Sequence, residues 1–555
     1  MVRKRLVQQA VGAAALGAVV LGAAGFSAAR QAPQAAPATH TAATTAHVLN
    51  YPNVDSGLFP KTFDPANVSD SQSIQVLPML YGNLVKLNTN NVVIPDLATW
   101  TIGGGGKVYT FKIRSDARFS DGSPVTADDA IYSLDRALNP HVFNGKPSQV
   151  AGLYLGHIVG AATYKGTGDV AGLRRIDAHT LQITLDSPIS FFLQTLSYPT
   201  ADVLKKGTPI NGLTTSNPEQ NQISSGPFKI SGYRFKSLLS FTPNPYWYSA
   251  KAMKLTRVDM PFIPDFDTSY TDYESGQYSM GNVPPSRLVI SRSKPDFHEI
   301  PILGIDYISF NFNKAPFSNK NLRLAMSYAI DRDTINNRVL HGGQATIYSL
   351  VPKGIPGYDA AGQGKVPYYN TTLAKQYLTK AKQEMGASFP TGPIVIKYQN
   401  SGADLTREYI VLQSEWKAIG LNVQPQNLDF NSWLNLVQKP TGNESWIENA
   451  WIDDYPDAQD FTTNLLTPSS GYNVGNYNNP QFNSLTNQAL TATGSERAQL
   501  YVQASRIALN DVAWAMIGQN VYAWRWSSNI KGMTMWSGEI YPVPVNNDWT
   551  QVDVQ

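Results

Sequence analysis

Between Pro393 and Ile452, short apolar strands and amphipathic helices alternate with little connecting chain, and no other stretch restricts the possible folds as tightly. PIVIKYQ, Pro393–Gln399, is β-branched and alternating, which predicts a strand. Asp404 stands where it would cap a helix bearing Leu412, Trp416 and Ile419, Gly420 ends that helix, and LNVQPQNL, Leu421–Leu428, reads as the next strand. This is a βαβ unit, the building block of sheets with parallel strands. Asn431 is then expected to cap a short helix through Trp433, Leu434 and Val437, and SWIENAWI, Ser445–Ile452, supplies a third strand.

The segment NAWIDDYPDAQDF, Asn449–Phe461, sets Asp453, Asp454, Asp457 and Asp460 at the carboxyl end of that third strand. Ligands of open α/β sheets bind beyond the carboxyl ends of strands, so position makes this segment the leading site candidate. Neighbouring residues of an extended chain point to opposite sides, which argues against Asp453 and Asp454 as the paired acids of a glycosidase. A calcium loop is broken by Tyr455, Pro456 and Ala458. Two readings stay open: a solvated turn shaped by Pro456, or a carboxylate in a cleft awaiting a cationic ligand group, a contact of roughly 1.5–3 kcal/mol. Trp433, Trp446, Trp451, Tyr472 and Tyr477 flank the segment as pocket walls or as core.

The first half has a different character. VYTFKIR, Val108–Arg114, alternates as a strand, DGSPV follows as a turn, and Thr126 caps a helix with Asp128 and Asp129 in its first turn. Gly103–Gly106 lacks the Ser or Thr of a phosphate loop and precedes a strand, so a hairpin tip is expected. LRRIDAHTLQITLD, Leu173–Asp186, reads as a second hairpin.

With 555 residues, 42% of them hydrophobic, the chain has material for two or three lobes. A net charge of +3 on a chain only 15% charged gives no footprint for nucleic acid. There is no cysteine, which removes thiol catalysis and disulfides, and no G-x-S-x-G or H-E-x-x-H motif; the seven histidines are scattered, so neither a cofactor nor a metal site is expected. MVRKR followed by the apolar Ala10–Gly25 and Ser27-Ala28-Ala29 predicts a secretory signal over 1–29, and 30–46, rich in Ala, Pro and Thr, a tether. No other stretch is long and apolar enough to span a membrane.

Several collinear stretches resemble the extracytoplasmic solute-binding proteins of ABC importers, family 5, the group of oligopeptide, dipeptide and nickel binders. Thr62–Asn88 is similar to the family's opening, YTFKIRSDARFSDGSPVTADDAIYSLDRA, Tyr109–Ala137, to its most specific signature, and SSGPFKI, NPYWY, Phe312–Arg332 and GNYNNPQFNSL to further segments. The resemblance implies an α/β, two-lobed periplasmic-binding-protein-like fold (type II, cluster C), with an extra subdomain in the N-terminal lobe and no catalysis. The boundaries expected from it are 47–92 and 215–300 for lobe I, 93–214 for the inserted subdomain, 301–519 for lobe II, and 520–555 for the return to lobe I.

Peptide-binding relatives carry a W-x-x-D segment whose acid pairs with a ligand's α-amino group, and in WIDDY the matching position is Asp454. The ligand-binding candidates are therefore Asp454, Trp451, Asp453, Tyr455 and Trp433, with a peptide as ligand and permease subunits of an importer as partners. A monomer is expected. LGAAGFSA, Leu21–Ala28, lacks the lipobox cysteine of many Gram-positive members, so a periplasmic, secreted or otherwise tethered protein is implied. The competing readings are a secreted hydrolase with carboxylates from separate loops, and a binder of sugar or another solute on the same fold.

Overall fold

The computed structural model describes residues 47–54, 59–148, 150–220, 222–399, 403–437 and 446–555. The expected signal and tether over 1–46 lie outside the described residues.

After strand β1 (Val48–Asn50), helix α1 (Ser71–Leu80) begins where the Asp70 carboxylate accepts from the Ser73 N–H at 3.0 Å. Strands β2 (Ala98–Gly103) and β3 (Val108–Ile113) form the expected hairpin, and Gly104, Gly105 and Gly106, all at positive φ, make its tip. Helix α2 (Ala127–Leu138) starts at Thr126, whose N–H and hydroxyl both donate to Asp129. Strands β4 (Leu173–Arg175) and β5 (Thr180–Thr184) are the second hairpin, giving an antiparallel sheet in the order β2-β3-β5-β4. Strands β6 (Phe228–Arg234), β7 (Leu238–Pro243) and β8 (Arg257–Ile263) then build a sheet in which β8 pairs in parallel with β1.

The largest sheet contains β9 (Met280–Asn282), β10 (Phe297–Phe310), β11 (Ile394–Gln399), β12 (Val423–Leu428), β13 (Trp446–Ile452) and β14 (Trp514–Trp526), in the order β9-β14-β10-β13-β11-β12. The βαβ unit is present, with β11 parallel to both β12 and β13 and helix α3 (Ala403–Ala418) between β11 and β12. The sheet as a whole is mixed, because β10 runs antiparallel to both β13 and β14. Two caps differ from expectation. Asp404 lies inside the first turn of α3, and helix α4 (Phe430–Val437) is capped by Asp429, which accepts from the Ser432 N–H at 3.1 Å. Since β12 stops at Leu428, Asp429 reaches the cap position before Asn431 does.

One apolar cluster runs from Leu49 through Ile263 and takes in Trp524 to Val554, so the chain's end returns to its beginning; His47 donates its N–H to the Val554 carbonyl at 3.0 Å. Two further clusters, one around Trp416 and Met326 and one around Phe461 and Tyr501, pack about the rest of the large sheet. β10 and β14 connect these bodies as a long antiparallel pair, from Phe297 opposite Arg525 to Ser309 opposite Trp514, interrupted between Pro301 and Ile305 and shifted again in register after Asp306.

Candidate ligand site

β13 ends at Ile452, and the Asp453 N–H donates to the Leu303 carbonyl at 2.9 Å, tying the acidic segment to the interruption in β10. The N–H of the same residue, Leu303, donates to the Ser537 carbonyl at 2.6 Å. The acidic segment and the C-terminal segment around 536–541 are thus held against the same joint. Between them and the first cluster lies a cavity of about 170 Å³, lined by Asp453, Asp454, Tyr198, Asp202, Trp536 and Glu539 among others.

Asp453 and Asp454 line this one cavity together, contrary to the expectation from strand geometry. The alternation that separates neighbouring side chains holds only within a strand, and the chain leaves the strand at Ile452 and bends at Asp454. Asp454 accepts from the hydroxyl of Tyr154, a residue more than two hundred positions earlier in the chain. Asp460 organises the turn behind it: its carboxylate accepts from the Trp451 indole N–H at 2.9 Å, the Asp454 N–H at 3.0 Å and the Asn464 amide at 3.1 Å. Asp457 has a different task. It caps the next helical turn through the Gln459 N–H at 2.8 Å and forms a two-pronged ion pair with Arg497, both contacts at 2.7 Å.

Burial, reinforced by repulsion from Asp460 and Glu539, pushes the carboxyls of Asp453 and Asp454 well above the ordinary range. Burial also pushes Asp460 up to about 7, against the three donors it accepts from, and Glu539 up to about 8. Asp202 is raised as well, by burial first and Asp96 second. Among the described residues none of these five acids forms an ion pair with a lysine, arginine or histidine. A cation brought into the cavity would therefore meet carboxyl groups that are not already ion-paired.

The remaining predicted residues, Trp451, Tyr455 and Trp433, are not in the lining of this cavity. Trp451 is half-buried, edge-on to Tyr472 at 5.1 Å, and serves Asp460. Tyr455 is fully buried, edge-on to Tyr154 at 5.4 Å and stacked with Phe191 at 6.1 Å, so it joins the acidic segment to the N-terminal body. Trp433 packs with Leu428, Leu436 and Val474 in a separate cluster. Tyr477 is core, against Phe312 and Phe482. Reading the acidic segment alone misses Tyr198, Asp202 and Glu539, which come from distant parts of the chain; the nearest signal was the family-like YGNLV stretch, where the Asn83 amide donates to Asp202 at 3.2 Å. No group of three His, Cys, Asp or Glu is placed to hold a metal, and no helix is long and apolar enough to cross a membrane, among the described residues.

The fold is mixed α/β, with a carboxylate-lined cavity beside the interruption of its long strand pair. Residues 92–473 match the model of bacterial extracellular solute-binding proteins, family 5 (middle part), and the chain belongs to that family. It is 26% identical over 500 residues to the oligopeptide-binding protein OppA of Bacillus subtilis, covering 88% of this chain and 91% of that one. It is 26% identical to the periplasmic murein peptide-binding protein MppA of Escherichia coli (83% and 86% covered) and 28% identical to the probable deoxycholate-binding periplasmic protein YgiS of the same species (82% and 85%). Its fold is similar to that of Haemophilus influenzae OppA in complex with RPPGFSPFR (TM-score 0.78, 21% identity, 92% and 99% covered) and of E. coli MppA (TM-score 0.79, 23% identity, 92% and 99% covered).

Proposed function

We propose that this protein is an exported carrier that captures a peptide by its α-amino group at Asp454, closes its two lobes around it and delivers it to the permease of an ABC importer, without chemical change. The carrying observation is the cavity itself: Asp453 and Asp454 line it, Tyr154 donates to Asp454, and no basic side chain pairs with either acid among the described residues. An ammonium supplies the missing charge, in a charge-assisted contact of about 1.5–3 kcal/mol. Relatives named for oligopeptides and murein peptides support the ligand class.

On this reading residues 47–92, 215–300 and 520–555 form one lobe, 93–214 an insertion in it with its own four-stranded sheet, and 301–519 the other lobe. The joint is the interrupted stretch Pro301–Ile305 of β10 opposite Gln519, where few residues would absorb the closing rotation. The carrier acts as a monomer outside the cytoplasm.

The test is to purify residues 47–555 under mild conditions, denature the protein and identify the released small molecules by mass spectrometry, beside an Asp454→Ala variant. Peptides released from the wild type and missing from a folded variant support the reading. A sugar or a bile acid in their place would refute the peptide assignment.

A further inference from the structure

The ligand cavity presents more carboxyl groups than one α-ammonium can answer. Its described acidic lining is Asp96, Asp202, Asp453, Asp454 and Glu539, and its described basic lining is Lys86 alone. Lys86 is held by the Asn547 carbonyl, to which it donates at 2.8 Å, and forms no ion pair with these acids among the described residues. Asp96 is also satisfied, since it accepts from the Asn83 N–H at 2.8 Å and the Tyr248 hydroxyl at 2.6 Å. Asp202 and Asp454 each accept from one neutral donor, the Asn83 amide and the Tyr154 hydroxyl, Glu539 is hydrogen-bonded to Tyr541, and burial favours the protonated form of all of these and of Asp453 until a cation arrives. The second oxygen of Asp202 and the Oδ1 of Asp453 are buried without a hydrogen-bond partner. Such groups cost roughly 1–3 kcal/mol each, more if charged, unless something binds them.

A ligand that brings only its α-ammonium leaves the other carboxyls of the lining without a cation. The cavity's size sharpens the point: about 170 Å³ is close to the ~150 Å³ of an engineered cavity that holds benzene, so the enclosed part of a ligand is about one residue with its side chain. Both compensating charges must then come from one end of the ligand.

We propose that the cavity selects a ligand presenting two cations within one residue's length, a peptide whose first residue is lysine or arginine, with Asp454 taking the α-ammonium and Asp453 with Glu539 taking the side chain. This inference rests on the peptide reading above and adds a substrate class to it.

Titration calorimetry at pH 7.5 in 150 mM salt tests it with Lys-Ala-Ala and its uncharged isostere norleucine-Ala-Ala, on the wild type, Glu539→Gln and Asp453→Asn. The expected result is binding of the lysine peptide at least 10-fold tighter than the norleucine peptide, with that ratio falling below 3-fold in at least one variant whose unfolding transition is intact. Equal or tighter binding of the norleucine peptide overturns the inference and leaves the peptide reading standing. A preserved ratio in both variants also overturns it, since the discrimination would then arise elsewhere. Failure of both peptides to bind the wild type refutes the peptide reading, and this inference falls with it.

Discussion

Glu539 shows how one side chain couples stability to acidity. Its carboxyl is pushed from an ordinary 4.5 up to about 8 by burial, so the native chain holds a proton that the unfolded chain releases. The contribution is therefore full below about pH 4.5 and is lost as pH rises through about 8. Thermal unfolding without ligand should give a lower Tm at pH 8 than at pH 5, and Glu539→Gln should reduce that difference; an unchanged difference would mean Glu539 does not titrate in this window. Asp64 illustrates the opposite case of a fully compensated buried acid. It receives both prongs of Arg136 at 2.6 and 2.5 Å, and its carboxylate caps the Ala66 N–H at 3.1 Å. Asp64→Ala strands a buried guanidinium and should cost about 3–5 kcal/mol in urea unfolding.

At the scale of elements, motifs that look like family spelling turn out to be packing constraints. Gly226, in SSGPFKI, donates its N–H to the Leu80 carbonyl at 2.9 Å, at the end of α1. A Cβ there would sit 2.7 Å from the Tyr81 nitrogen and 2.8 Å from the Leu80 carbonyl carbon, both backbone atoms that cannot swing away. Gly226→Ala should thus force α1 from β6 and lower Tm by several degrees, which differential scanning calorimetry would register. In α2, Asp129 accepts from Thr126 and also from the Lys206 N–H at 2.8 Å, so it caps a helix and pins a distant loop. Asp129→Ala should cost about 0.5–2 kcal/mol for the cap, with a further loss from the freed Lys206 N–H.

For the whole molecule, the ligand is part of the stability. A peptide that binds the folded protein alone adds about 2.7 kcal/mol at 100 times its Kd, and Tm should rise with peptide concentration accordingly. An N-acetylated copy of the same peptide, which lacks the α-ammonium, should give little or none of this gain. Contacts also join distant segments: Tyr455 stacks on Phe191, and the guanidinium of Arg497 lies 5.0 Å from the same ring.

What the sequence determined by itself is local and periodic. The hairpins at Gly103–Gly106 and His179, helix α2 with its Thr126 start, the separate elements of the βαβ unit and the position of Asp453 and Asp454 at the end of β13 all follow from local patterns, where hydrogen bonds and side-chain alternation act. Which residues face the ligand was decided elsewhere. The sequence could not show that β10 runs antiparallel to β13, that the chain bends after Ile452 to aim both acids one way, or that Tyr154, Asp202 and Glu539 meet them. Those contacts join segments far apart in the chain, Tyr154 and Asp454 by 300 positions, and are selected by the packing of separate apolar clusters around one pair of long strands, so no local periodicity encodes them.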